Sequence, residues 1–117
     1  MANKALVECS FYIPLHRDSI LSNGEKHKSD VWDWLESELF KRFDGVTSAP
    51  GNYRGFYADP DTGQKVSDES RRFIVAVPKS KRGKLKSLLM EACGRFQQKC
   101  IYLSIGGNVE FIVRRKK

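Results

Sequence analysis

Cysteine and histidine are scarce in this 117-residue chain: three cysteines stand at 9, 93 and 100, and the two histidines are His16 and His27. An odd cysteine count with no Cys-x-x-Cys pair excludes a disulfide framework, and so few soft ligands exclude a zinc or other transition-metal site. Reduced, mostly buried thiols are expected, with no metal and no cofactor. Long apolar runs are also missing. None approaches the ~20 residues that cross a bilayer, and Glu8 interrupts the first apolar segment, which denies it a secretory h-region. The expectation is a cytoplasmic domain without membrane contact. Acidic residues thin out along the chain: residues 1–60 carry 7 Lys/Arg against 9 Asp/Glu, and residues 61–117 carry 14 against 5, so the net charge of +7 divides into −2 and +9. A one-sided positive field of this kind favours an anionic partner.

Catalytic motifs are lacking as well. No Ser/His/Asp order, paired-carboxylate motif or His-Glu-x-x-His is present, and Arg82-Gly83-Lys84 lacks the spacing of a phosphate-binding loop. Glu69, Ser70, His16, His27, Asp59 and Asp61 remain as single candidates, with both histidines in a polar connection where an exposed, idle role is expected.

What is present is pattern. From Ala5 to Pro14, Val7, Cys9, Phe11 and Ile13 alternate with Leu6, Glu8, Ser10 and Tyr12, which predicts a half-buried strand. A polar connection over 15–28 follows, with Ile20 and Leu21 as possible anchors. Val31, Trp32, Leu35, Leu39 and Phe43 fall on one helical stripe, flanked by Trp34 and Phe40, with Ser29 in N-cap position and Asp44-Gly45 as the stop. Gly45 is expected to supply the positive φ of the C-cap. Residues 46–58 read as an irregular strand broken at Pro50-Gly51, Asp59-Pro60-Asp61-Thr62-Gly63 as a turn, and 64–77 as the return strand, with Phe73, Val75 and Val77 opposite Arg72, Ile74 and Ala76. A second helix is predicted from about Lys81 to Gln98 on Leu85, Leu88, Leu89, Ala92 and Phe96. Ile101, Leu103 and Ile105 then alternate, and Gly106-Gly107 is read as a hairpin turn into Val109–Val113 rather than a bulge.

The order β-α-β-β-α-β, with one apolar stripe per helix, predicts an α+β ferredoxin-like two-layer sandwich over residues 1–117: an antiparallel sheet with two helices on one face, an extra C-terminal hairpin strand, and frayed ends at 1–4 and 114–117. The other sheet face would carry Leu6, Tyr12, Ile74, Ala76 and Tyr102 among Glu8, Ser10, Arg72 and Ser104. It is too apolar to be only solvated and is read as a contact surface.

Lys79, Lys81, Arg82, Lys84 and Lys86 enter the second helix, where cations oppose the macrodipole unless an anion binds, and so form a candidate site for nucleic acid or another polyanion. The turn at 59–63 followed by Arg72-Phe73-Ile74-Val75, with Phe11-Tyr12-Ile13 as partner strand, is similar to the RNA recognition motif but lacks its central aromatics. A second resemblance is carried by Trp34, Arg42-Phe43-Asp44-Gly45-Val46-Thr47, Gly51 and Gly55, Val66, Glu69-Ser70 and Phe96-Gln97. In that order they resemble a small bacterial domain family of unknown function, which implies the ferredoxin-like fold and directs attention to Arg42, Thr47, Glu69 and Ser70. Gly45, Thr47 and Glu69 also admit a plain structural reading, at a cap and a twisted hairpin.

Together these features describe a binding or interaction module, not recognisably an enzyme, that self-associates as a homo-oligomer through the open sheet face or an edge strand. Two alternatives stand beside it: a nucleic-acid binder using residues 79–86, and a small-ligand enzyme whose site, between sheet and partner subunit, uses Glu69, Arg72 and Tyr12.

Overall fold

A computed structural model describes residues 5–18 and 24–114, with the side chains of 50–52 outside the description. Five strands and two helices follow in the order β1 (Leu6–Pro14), α1 (Ser29–Phe43), β2 (Thr47–Ala58), β3 (Lys65–Pro78), α2 (Arg82–Arg95), β4 (Cys100–Ile105) and β5 (Asn108–Val113). The sheet runs β2-β3-β1-β4-β5 with every neighbour antiparallel. Its first four strands have the ferredoxin-like order, and β5 extends the sheet beyond β4. No helix is long and apolar enough to cross a membrane among the described residues.

Strand alternation sorts the side chains. Cys9, Phe11 and Ile13 of β1, Phe73, Val75 and Val77 of β3, and Ile101, Leu103 and Ile105 of β4 are buried against Leu35 and Leu39 of α1 and Leu85, Leu88, Leu89 and Ala92 of α2. Phe11 and Phe73, directly opposite in the register, stack at 5.2 Å, and Trp32 of α1 joins Phe73 at 6.1 Å to Phe96 after α2 at 4.8 Å. These rings bind both helices to one sheet face. The thiols of Cys9 and Cys93 are buried and that of Cys100 is partly buried; all three are free, as their spacing implies.

The helix ends depart from the sequence reading. Ser29 is the first helical residue and not the N-cap; Lys28 holds the cap position without a side-chain bond, and Val31 N–H donates to its carbonyl at 3.2 Å. At the other end Asp44, not Gly45, takes the left-handed conformation (φ 66°), its N–H donating to the Phe40 carbonyl. Aspartate tolerates that region because its short polar side chain can bond locally. α2 stops at Arg95 rather than Gln98, preceded by a 3₁₀ turn at Lys79–Lys81. Gln97 adopts φ 52°, and the bonds Gln98 N–H to Cys93 O (2.9 Å) and Gln97 N–H to Gly94 O (3.3 Å) form a Schellman motif without glycine.

Gly106 and Gly107 close the β4–β5 hairpin with φ 56° and 91°, a two-residue turn that needs positive φ at both positions. A Cβ on Gly106 would lie 3.1 Å from Val7 Cγ1. β5 therefore returns to Cys100, and Arg114 leaves the sheet at the pole opposite Lys79–Lys86. The anchors Ile20 and Leu21 and, of the frayed ends expected at 1–4 and 114–117, every residue but Arg114 lie outside the described residues.

The described residues of the connection after β1, 15–18 and 24–28, are tied to one another by backbone bonds. His16 bridges Lys26, Arg17 N–H donates to Glu25 O at 2.7 Å, and His27 N–H donates to Leu15 O at 3.2 Å. His27 is not idle. Its ring meets Trp32 and Phe96 edge-on at 5.4 and 4.9 Å, and its Nε2 lies 2.9 Å from the Pro14 carbonyl, which can only accept and so requires the Nε2–H form. Burial holds its pKa down at about 4 against 6.5. An unfolded chain then binds more protons than the folded one between those values, so stability falls as pH drops from 6.5 to about 4. With solvent screening allowed for at this half-buried site, the loss is on the order of 1–3 kcal/mol. Urea melts at pH 7 and pH 4.5 should show it in the wild type and not in His27→Gln.

Candidate small-ligand site on the open sheet face

β2 and β3 outrun the other strands: β3 pairs with β1 only from Ser70 to Pro78, so the hairpin from Lys65 back to Ala58 overhangs the end of β1. Its turn is held by the Asp59 carboxylate, which accepts from the N–H groups of Asp61 (2.8 Å) and Thr62 (3.1 Å). Lys99, between α2 and β4, reaches across to Asp59 Oδ2 at 3.1 Å and Asp61 Oδ2 at 3.0 Å, tying the overhang to the far side of the sheet. The bonds from Asp61 N–H, then the Lys99 ammonium, hold the Asp59 carboxyl below the ordinary aspartate range.

Pairing slips within β2. Ala49 opposes Arg72, yet Tyr53 opposes Ser70, so four residues of β2 span two of β3. An even slip preserves the alternation, and Thr47, Ala49, Tyr53, Gly55 and Tyr57 all fall on the open face. Tyr12 and Tyr102 reach that face from β1 and β4, and Phe111 from β5 opposite Tyr102. The rings form a row: Tyr12 meets Tyr53 at 5.8 Å and Tyr102 at 5.6 Å, and Tyr102 meets Phe111 at 5.8 Å, all edge to face.

All four tyrosines of the chain, with Phe56, Phe111, Asp68, Ser70 and Cys100, line one cavity of about 350 Å³. Burial raises the pKa of Asp68, opposed by a 3.3 Å bond from Ser70 Oγ. Tyr57 is pushed up to about 12, first by burial and then by the Asp68 charge, and burial also raises Cys100. At neutral pH the phenol and thiol therefore keep their protons, and Asp68 is a stronger base than a solvated aspartate. Aromatic faces beside one carboxylate, Asp68, and one guanidinium, Arg54, suit a flat, stacking group that carries charge of both signs. A second cavity, of about 600 Å³, shares Pro14, Arg54, Tyr57 and Asp68 and continues against His16, Arg17, Gly24 and Lys26.

Strand alternation divides the residues singled out from sequence. Tyr12, Ser70 and Arg72 share the open face, but Glu69 points to the other face of β3 and lines only the second cavity. Glu69 and Arg72 are three residues apart on one strand and cannot meet; Asp68 takes the acidic place that Glu69 was expected to hold. Arg42 pairs with Glu38 on α1 (2.9 Å), and Thr47 lines a separate concavity beside Gly45. The basic cluster is dispersed. Lys86 pairs with Glu110 of β5 at 2.9 Å, Arg82 donates to Lys79 O, and Lys81 donates to the Arg42 carbonyl at the end of α1. Lys81 and Lys84 line a shallow concavity with Lys41 and Arg42, while Lys79 and Lys86 lie outside it. Sequence reasoning missed Tyr53, Tyr57, Asp68, Cys100 and Phe111. The available signal was period two, read back from Ser70 to Asp68 and from Tyr102 to Cys100; the rest depended on the β2 slip and on β5.

No family model matches the chain, and no curated protein matches it. Among solved structures it is similar to a phage SAM lyase in complex with S-methyl-5′-thioadenosine, at 17% identity and a TM-score of 0.66 over 97% of this chain and 93% of that one. A phage SAM lyase in the apo state is similar at 19% identity, with a TM-score of 0.63 over 100% and 98%. At these identities the likeness is one of fold.

A carboxylate whose pKa is raised by burial destabilises the folded state above that pKa, and the penalty disappears as pH falls through it. Asp68→Asn should therefore raise Tm at pH 7, with the gain vanishing by pH 3–4, the range of an unfolded aspartate at roughly 3.9. Thermal melts across pH 3–8 check this.

Proposed function

We propose that the open-face cavity binds an S-adenosyl sulfonium and cleaves it to a thioadenosine. The convergence of four tyrosines, Phe111 and Asp68 in one cavity carries this reading. The shared fold with a SAM lyase holding S-methyl-5′-thioadenosine supports it. At about 350 Å³ the cavity falls in the size range of small-ligand sites. The purine stacks on the tyrosine rings, and the sulfonium lies against aromatic faces near the Asp68 carboxylate.

The chemistry asks little of acid groups. When the bond from sulfur to the aminoalkyl arm breaks, its electron pair returns to sulfur and extinguishes the positive charge, so the leaving thioether needs no proton. An oxygen of the arm's own carboxylate bonds to that carbon as its bond to sulfur breaks, so the arm leaves as a lactone and neither water nor an external base is consumed. Charge is lost along this path, and an aromatic, poorly hydrated cavity favours that over bulk water. Asp68, ionised, draws the cation in and stabilises positive charge developing at the arm carbon. This takes up the enzymatic alternative raised from sequence and moves its acidic residue from Glu69 to Asp68.

Calorimetry with S-methyl-5′-thioadenosine, and chromatography of SAM incubated with the protein, test the reading. Saturable binding and release of the thioether are expected. Tyr102→Ala should weaken binding about 3–30-fold, the worth of a desolvated aromatic contact, and Asp68→Asn should suppress cleavage far more than thioether binding. A folded protein that binds neither compound at millimolar concentration would overturn it.

A second reading rests on β5. Val109, Phe111 and Val113 are at least half exposed on the open face of an edge strand, beside the tyrosine row. Such a strip supports self-association. Light scattering of wild type against Val109→Lys/Val113→Lys should then show a mass that falls to one chain in the variant.

A further inference from the structure

Resting on the sulfonium reading, we infer that Arg72 receives the carboxylate of the ligand's amino acid arm and thereby separates ligands that carry the arm from those that lack it. Arg72 lies on the open face directly opposite Tyr12 and two residues beyond Ser70, both of which line the cavity. Its Nε is buried and makes no hydrogen bond among the described residues. Arg42 and Arg95 are held in ion pairs, Arg71 lies over the Trp32 ring at 4.1 Å and Arg82 donates to a carbonyl, while Arg54 lines the cavity from β2. Arg72 has given up water at Nε without a return, which native structures rarely leave uncompensated.

Its surroundings explain what it lacks. The open-face neighbours in register are Tyr12 and Ala49 across the sheet, with Ser70 and Ile74 along the strand, all uncharged. The nearest acid on that face of β3 is Asp68, four residues away, or roughly 13 Å at strand spacing. Between Asp68 and Arg72 this part of the face runs from a carboxylate to a guanidinium past Tyr53 and Tyr12, and the other open-face acid, Glu8, lies four residues further on, opposite Ala76. An S-adenosyl amino acid has the matching order, a cationic sulfur and a carboxylate separated by a three-carbon chain. Turning the guanidinium toward the cavity breaks no hydrogen bond at Nε and allows the two-pronged pairing that arginine forms with carboxylates.

Two thioethers isolate this contact, because neither carries the sulfonium: S-adenosylhomocysteine has the amino acid arm and S-methyl-5′-thioadenosine does not. Calorimetric Kd values for both should be measured with wild type, Arg72→Met and Arg72→Lys, with Tm as a check on folding. In Arg72→Met the S-adenosylhomocysteine Kd should rise about 10–100-fold, the worth of a charge-assisted hydrogen bond, while that of the arm-less thioether stays within about twofold. Arg72→Lys should recover part of the loss, and Tm should not fall in Arg72→Met. Equal weakening of both ligands, or no change in either, would overturn the assignment while leaving the cavity's function standing. A wild type that binds neither thioether would overturn the function and this inference with it.

Discussion

Successive side chains of a strand must point to opposite faces, and in β1 that constraint divides the molecule at Phe11 and Tyr12. Phe11 stacks on Phe73 inside the core, and Tyr12 stands between Tyr53 and Tyr102 on the other face. β1 is paired on both edges, so its register cannot slide by one residue without sending its apolar set to the open face and its tyrosine into the core. The aromatic row is therefore as firmly placed as the core. That rigidity lets a cavity form on a sheet surface, where no helix supplies walls.

The walls come instead from the overhanging hairpin. Its bond network at Asp59 is local, but the Lys99 tie is not, and it brings Tyr57 and Asp68 to the same cavity as Cys100 and Phe111. Asp68 loses hydration in that cavity, and on the same face the Nε of Arg72 is buried without a hydrogen bond among the described residues. Such groups lower stability, and their gathering on one face, while the helix-side core is satisfied and close-packed, is the signature of a surface arranged for a ligand. The likeness to SAM lyase structures is one of fold, which hosts many activities, and the side chains carry the functional argument.

Much of this was open to reading in one dimension. The helix stripes, the core faces of β1, β3 and β4, the Gly106-Gly107 turn and the apolar character of the open face follow from periods of 3.6 and 2 and from glycine's access to positive φ. The helix boundaries did not. Ser29 offers a capping hydroxyl but stands one residue inside α1, and Asp44 instead of Gly45 reverses the chain, because tertiary packing of Trp32 and Phe43 sets where each end falls. The family pattern points to Glu69, whereas alternation along β3 puts Asp68, and not Glu69, on the face of Arg72.

By itself, then, the sequence determined the layers: local periodicity decides which side of each strand and helix is apolar, and apolar sides must meet. Tertiary structure alone decided the site. Tyr12, Tyr53, Tyr57, Tyr102, Asp68 and Phe111 come from five strands, and their meeting depends on a two-residue slip between β2 and β3, on β5 adding to the edge of β4, and on one lysine reaching across the sheet. Register between distant strands is a sum over many pairings, with no local sequence mark, and so it becomes visible only when the chain has folded.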